Sequence, residues 1–251
     1  MIKSKITIKK LTRTMKYLDL TLRTPAENLA CDEALLDFCE ETGGPEILRV
    51  WEPTQYFVVI GYANKVELEV NSENCRAKQI PILRRCSGGG AVVLGPGCLN
   101  YSLLLNFTDN QLLQTISRTN RFVMEHHREM LQAHWGIALK TEGHTDLTAG
   151  ALKFSGNAQR RRKNFLLFHG TFLLDFDISA IEQLLKTPSK QPDYRGNRSH
   201  KDFLTNLKRR PEEVKELLRE GWGAADQLET IPEFTKLVSE KYSRDDWNLK
   251  F

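Results

Sequence analysis

The sequence predicts an α+β domain with a mixed, largely antiparallel sheet flanked by helices. Three observations lead to it. Helix-period segments near residues 25–41 and 120–135 bracket a run of short β-type segments, instead of alternating with them as βαβ units would. Each β-type segment is bounded by Gly, Pro or Asn. No fixed-period repeat, low-complexity tract or Gly/Ser linker divides the 251 residues, so 1–251 is expected to form one domain.

The elements follow in order. Thr24-Pro25-Ala26-Glu27 carries a hydroxyl N-cap, Pro at the first helical position and Glu three after the cap, a capping box opening a helix to about Glu41. Gly43-Gly44 ends it. Leu29, Leu35, Leu36 and Cys39 share one face of that helix, and Asn28 and Asp32 fall in the same arc. Buried polar groups need partners, here neighbouring backbone ahead of a ligand. Strands are expected at Ile47–Trp51, Phe57–Ile60, Ile80–Arg84, Ala91–Leu94 and Tyr101–Leu105.

Asn120 to Trp135 returns to helical period, with His127 and His134 inside its apolar arc. Seven residues put these two about 10 Å apart along a helix, too far for one metal, so they read as core or half-exposed histidines. Leu152–Phe154 and Phe165–Phe176 flank Arg160-Arg161-Arg162-Lys163-Asn164 and read as a hairpin with a charged tip. Ile178 to Tyr242 reads as mainly helical and polar enough to wrap the surface.

Composition narrows the class. The chain is 40% apolar and 27% charged, and its hydrophobic runs stop short of the ~20 residues that span a bilayer. Lys3, Lys5, Lys9, Lys10, Arg13 and Lys16 precede no apolar signal-peptide core, so a cytoplasmic protein without membrane attachment is expected. Cys31, Cys39, Cys75, Cys86 and Cys98 form no C-x-x-C pair and an odd number, which suits free thiols in a reducing compartment. A net charge of +4 is too small to mark a nucleic-acid binder, yet compatible with an acidic protein partner.

The most specific chemistry lies in Arg84-Arg85-Cys86-Ser87-Gly88-Gly89-Gly90-Ala91-Val92-Val93. Three successive glycines are costly in chain entropy. They also let backbone N–H groups approach an anion closely, and the arginine forks suit phosphate oxygens. The spacing matches neither a P-loop nor a Rossmann fingerprint. Farther on, Lys153 lies among apolar neighbours before Ser155-Gly156-Asn157, where an ammonium costs desolvation unless an anion receives it or the side chain snorkels to the surface.

Taken together, Arg-Arg-x-Ser-Gly-Gly-Gly-Ala-Val at 84–92, Asp146-Leu147, Lys-x-Ser-Gly-Asn-Ala-Gln at 153–159 and His-Gly-Thr at 169–171 resemble the lipoate-protein ligase family. The resemblance runs from Asn28-Leu29-Ala30-x-Asp32-Glu33-Ala34 to Arg198-x-x-x-Asp202-Phe203-Leu204. It implies the catalytic domain shared with biotin ligases and octanoyltransferases. It implies ATP and Mg²⁺, lipoate as substrate, a lipoyl-adenylate, and transfer to a lysine of an acidic lipoyl-domain acceptor. By the same resemblance Lys153 is the catalytic cation, and Arg85 with the backbone of Gly90, Ala91, Val92 and Val93 lines the nucleotide. Ser87, Gly88, Gly89, Lys153 and His169 line lipoate. Asp146 helps hold metal or nucleotide, or serves as a structural cap; no metal ligand set is assigned. The enzyme is expected to act as a monomer.

Two departures stand out. Many ligases follow Ala-Val with x-His-Asp, whereas here Val93 leads into Leu94-Gly95-Pro96-Gly97-Cys98. The length leaves little beyond a catalytic domain, so an accessory domain is either dispensable or supplied by a separate polypeptide. The rivals are an octanoyl or lipoyl transferase on the same scaffold, and a lipoyl-binding protein without catalysis. A transferase needs a nucleophilic thiol. In the cysteine-type transferases it precedes the lysine motif by about a dozen residues, and 138–152 contains no cysteine. A biotin ligase lacks support because no Gly-Arg-Gly-Arg loop is present. A pure binder would have no use for Lys153.

Overall fold

The computed structural model describes residues 15–188 and 190–251. The basic stretch from Met1 to Thr14 lies outside them. Strand β1 (Lys16–Asp19) leads to helix α1 (Pro25–Thr42), then β2 (Ile47–Trp51), β3 (Phe57–Ile60), short helices α2 (Val66–Glu69) and α3 (Ser72–Ala77), β4 (Ile82–Arg84), β5 (Val92–Leu94) and β6 (Cys98–Asn106). Helix α4 (Ile116–Trp135) precedes β7 (Leu139–Glu142), β8 (Asp146–Ala149), β9 (Leu152–Arg161) and β10 (Phe165–Leu173). Helices α5 (Ile178–Leu184), α6 (His200–Phe203) and α7 (Pro211–Gly221) and strand β11 (Asp226–Gln227) follow, then short helical turns to Asn248.

Eight strands form one sheet in the order β11-β1-β2-β6-β10-β9-β8-β7. The β11–β1 and β1–β2 pairs are parallel and every other pair is antiparallel, the mixed sheet the sequence predicts. The expected strands do not all join it, however. Phe57–Ile60, Ile82–Arg84 and Val92–Leu94 form a separate three-stranded sheet, β4-β3-β5. The glycine loop therefore connects two strands of the small sheet and projects from it over the large one.

Both faces of the large sheet are covered. Against one, Tyr101, Leu103, Phe168 and Phe172 pack on Val123, Met124 and Leu131 of α4 and Val214 and Leu218 of α7. Against the other, Ile47, Leu104, Phe165 and Leu167 pack on Leu35, Leu36 and Cys39 of α1. The α1 boundaries have the expected causes. Thr24 Oγ accepts from the Glu27 amide at 3.2 Å while Glu27 accepts from the Thr24 amide at 2.7 Å, and Gly43 takes the left-handed conformation at φ 63°. Such an N-cap is worth about 1 kcal/mol. Burial extends beyond the one face read from periodicity, because the segment 235–242 packs on α1 from outside the sheet.

Two expectations are corrected. The chain from 178 to 242 is mainly helical as expected but does more than wrap the surface, since Val214, Leu218, Trp222 and Tyr242 are buried. The strand expected at Leu152–Phe154 runs on to Arg161 as the ten-residue β9. No helix among the described residues is long and apolar enough to cross a membrane.

Candidate active site

The face of the large sheet beneath α1 carries the site. Register pairs Arg49 of β2 with Ser102 of β6, Ser102 with His169 of β10, and His169 with Ala158 of β9, so these four share one face in a cross-strand row. The next row places Asn100, Thr171 and Gly156 side by side. Alternation along β9 then presents Gly156, Ala158 and Arg160 on this face.

From α1, Asp32 meets Arg49 at 2.6 Å, and the same guanidinium donates to the side chain of Asn28 at 2.7 Å. Asn28 also bonds Leu22 and Thr24 backbone, as expected. Asp32 instead faces the row: its other oxygen lies 3.7 Å from His169 Nδ1. Burial opposes ionisation of Asp32, but the Arg49 guanidinium, with His169 and Ser102 nearby, outweighs it and holds the carboxyl below the usual range.

The glycine loop lies over Ala158. A Cβ at Gly89, whose φ is 91°, would sit 2.8 Å from Arg85 Nη2 and 3.8 Å from Ala158 Cβ, so only glycine fits there. Gly61 lets the loop settle, since a Cβ on it would overlap the Gly89 carbonyl. Ser87 Oγ bonds His169 Nε2 at 2.6 Å and ties the loop to the sheet. Gly88, Gly89 and Gly90 are exposed, and among the described residues their amides donate to nothing. They are donors left open at the surface, the form an anion-binding loop takes.

The two arginines do not offer their forks to a ligand. Arg84 is fully buried and donates to the carbonyls of Gly61, Tyr62, Asn64, Trp247 and Asn248, so it clamps the 61–64 turn to the C-terminal segment. Arg85 is buried beneath the loop, where Nη2 donates to Gly88 O at 2.6 Å and Gly90 O at 2.8 Å. Those bonds aim the loop carbonyls inward and leave its amides outward. Burial lowers Arg85 only to about 10, so it stays cationic. Val93 is buried and paired with Val58, while Val92 is exposed beside the loop.

Lys153 reaches back along β9. Its ammonium stands where a Gly156 side chain would be, 2.8 Å from that ideal Cβ, and forms an ion pair with Asp146 Oδ1 at 2.8 Å. Tyr194 OH donates to Asp146 Oδ2 at 2.6 Å. Asp146 is thus no backbone cap. Among the described residues no group of three His, Cys, Asp or Glu side chains could hold a metal. Both oxygens of Asp146 are taken, by Lys153 and Tyr194, so no side chain here is assigned to a metal.

Two features escaped the sequence reading. Tyr194 has no motif to announce it. Arg160 was read into a charged hairpin tip, yet it shares the face of Gly156 and Ala158, its Nε has no partner, and among the described residues it meets no carboxylate. The signal was the small-small-Arg alternation along β9. The rest of that tip is not a basic rim. Arg161 points to the opposite face, lies 4.0 Å from the Phe107 ring and bonds Leu113 O at 2.8 Å. Arg162 pairs with Asp37 at 2.6 Å and Glu33 at 3.6 Å, and only Lys163 is fully exposed.

All five cysteines are buried free thiols. Burial pushes Cys86 and Cys98 up to about 12, and raises Cys31, Cys39 and Cys75 as well. Such thiols are poor nucleophiles.

The α+β scaffold thus combines a mixed sheet covered on both faces with a glycine loop of open amides and a lysine–carboxylate pair on one of those faces. Residues 24–220 match the lipoyl protein ligase A/B catalytic domain, and the chain belongs to that family. It is similar to the octanoyltransferase LipM of Halalkalibacterium halodurans, with 28% identity over 94% of this chain and 99% of that protein. A crystal structure of the bi-partite lipoate protein ligase of Thermoplasma acidophilum, solved in work that included its E2 lipoyl domain, superposes with a TM-score of 0.78 at 26% identity, covering 94% of this chain and 96% of that one. A lipoate-protein ligase A bound with ATP superposes with a TM-score of 0.75 at 26% identity, covering 94% and 98%.

Proposed function

We propose that the protein is an ATP-dependent lipoate-protein ligase. A lipoate carboxylate oxygen attacks the α-phosphorus of ATP, forming lipoyl-adenylate and releasing pyrophosphate. A lysine amine of an acceptor lipoyl domain then attacks the acyl carbonyl, an amide forms, AMP leaves and the amine gives up a proton.

The observation that carries this reading over the transferase alternative is the state of the thiols. A thioester route needs an accessible thiolate near the lysine, and among the described residues every thiol is buried and raised. The ATP-bound relative supports the nucleotide, and the bi-partite relative supports both a lipoyl-domain acceptor and a separate accessory polypeptide.

In this scheme Lys153 sits where charge builds at the acyl oxygen and α-phosphate, and a fixed cation there needs no reorganisation. The amides of Gly88, Gly89 and Gly90, with Ala91 and the edge at Val92 and Val93, receive phosphate and acyl oxygens. Arg85 shapes that loop. Arg160 supplies a second cation on the same face. Ser87 and His169 bound the lipoate side. Mg²⁺ would neutralise the phosphates while carried on their own oxygens. The acceptor, being lysine-bearing and acidic, would dock where the amides open.

Purified protein given lipoate and labelled ATP without acceptor should release pyrophosphate and retain lipoyl-adenylate, and Cys86→Ser and Cys98→Ser should do the same. Octanoyl transfer from a thioester donor without ATP, with an acyl-thioester adduct on the parent protein, would move the assignment to transferase.

A further inference from the structure

We propose that Tyr194 is a positioning residue for the reactive ammonium of Lys153, acting through Asp146. The inference rests on the reading of Lys153 as the site's working cation. The geometry is a three-residue chain: Tyr194 OH to Asp146 Oδ2 at 2.6 Å, then Asp146 Oδ1 to Lys153 Nζ at 2.8 Å. One carboxylate oxygen goes to each neighbour, so the carboxylate plane is fixed from both sides. With only Lys153 as partner, either oxygen could serve and the side chain could rotate about its terminal torsion, which is broad for aspartate.

Tyr194 is built to stay a donor. Burial, with the adjacent Asp146 carboxylate, drives its phenol far above its ordinary value. Its ring edge lies in ordinary van der Waals range of Gly143, which takes the left-handed conformation at φ 56° in the turn before β8. The backbone around Tyr194 is held by Arg198, which donates to the Tyr194 carbonyl at 2.9 Å and to Ala151 O at 2.9 Å. The segment continues to Thr205, whose amide donates to the Lys153 carbonyl at 2.9 Å. The segment from Tyr194 to Thr205 thus touches the backbone of Lys153 at one end and the counter-ion of its side chain at the other.

The first test needs no substrate. The initial rate at which an amine-specific acylating reagent labels Lys153 at pH 8 is read by peptide mass spectrometry in wild type, Tyr194→Phe, Asp146→Asn and the double variant. An ammonium that loses its placed carboxylate yields its proton more readily, so Tyr194→Phe should raise labelling several-fold and Asp146→Asn more. In the Asp146→Asn background Tyr194→Phe should add nothing. Unchanged labelling in Tyr194→Phe, or the same increment with and without Asp146, overturns the proposal. A variant that loses its thermal transition is replaced by Tyr194→Leu, which presents no donor to Asp146 and should label like Tyr194→Phe; wild-type labelling in it would also overturn the proposal. The second test is turnover: Tyr194→Phe should lower kcat about tenfold at unchanged KM for lipoate and ATP, and a change confined to KM counts against it. If wild type forms no adenylate while the labelling pattern holds, the ligase assignment fails and the positioning role stands.

Discussion

The side-chain oxygen of Asn157 occupies the space that a Cβ on Gly170 would fill. Across the β9–β10 pair these two residues are directly opposite, so the missing side chain of one admits the amide of the other. Asn157 uses that room to accept from Tyr101 OH and to donate to Thr145 O at 2.6 Å, while Thr145 Oγ returns a bond to Asn157 O at 2.7 Å. Thr145 is the residue before Asp146, so the pocket made by Gly170 anchors the strand that carries the counter-ion of Lys153.

Gly170→Ala should therefore displace the Asn157 amide, with the cost of overpacking a filled site, about 1–3 kcal/mol. Urea unfolding should show a lower midpoint, and turnover should fall beyond what the stability loss explains, because Thr145 and Asp146 shift with Asn157. Wild-type stability in Gly170→Ala would mean that the amide is not held where it is seen.

Lys153→Ala should remove most turnover, roughly a hundredfold or more, the range for deleting one group that meets developing charge. The fold should survive, since the lysine is half-buried and its ion pair lies at a strand edge. Near-normal turnover with intact circular dichroism would remove Lys153 from its assigned role.

What the sequence could show here was local chemistry. The capping box at Thr24, the glycine loop and the Lys153 motif were legible because each is a short pattern with its own physical cause. What could not be read was which of two similar side chains faces in. Arg84 and Arg85 are neighbours of one type, yet Arg84 holds the C-terminal segment and Arg85 the loop. That difference is decided by residues at 247 and 248, more than 160 positions away. Arg160, Arg161 and Arg162 likewise read as one charged run, while strand alternation sends Arg161 to the opposite face. The separate three-stranded sheet was hidden for the same reason, because strand propensity says nothing about partners. Strands as short as β1 and β11 carry too few residues to show a period.

Stability should depend on pH through the histidines of α4. His127 is fully buried, accepts from Trp222 Nε1 at 2.9 Å, and stands edge-on to Tyr101 with ring centroids 4.9 Å apart. Burial, and then the adjacent His126, hold it well below the ordinary imidazole value; His126 is lowered too, by burial against the opposing bond to Gly221 O and the nearby Glu129. Below about pH 6.5 the unfolded chain binds protons at these rings while the folded one does not, so stability is full above that pH and falls beneath it. The slope should approach about 1.4 kcal/mol per pH unit for the fully buried His127, with His126 adding less. The carboxyl of Asp32 is lowered, so its contribution is lost only below about pH 4, outside this window. Urea midpoints at pH 7.5 and 5.5 measure the effect, and equal stabilities would show that His127 is not held neutral.

The hairpin arginines allow the last prediction, because each has a different job. Lys163 is exposed at the turn, so Lys163→Ala should change neither adenylate formation nor transfer. Arg162 ties the β9–β10 turn to Asp37 and Glu33 of α1, and Glu33 also receives Lys241 at 2.6 Å and Tyr242 OH at 2.7 Å. Removing Arg162 leaves these carboxylates closer to unpaired, so Arg162→Ala should lower the unfolding midpoint with modest effect on either half-reaction. Arg160 has no carboxylate partner among the described residues, and its Nε is buried without one on the site face. The Arg160 guanidinium is half-buried over the Tyr62 ring, 5.8 Å from its centroid, and an anion on this face would complete it. Arg160→Ala should leave stability unchanged or raise it, while cutting pyrophosphate release at least tenfold at saturating acceptor. Loss confined to transfer, with adenylate formation intact, would place Arg160 on the acceptor surface instead.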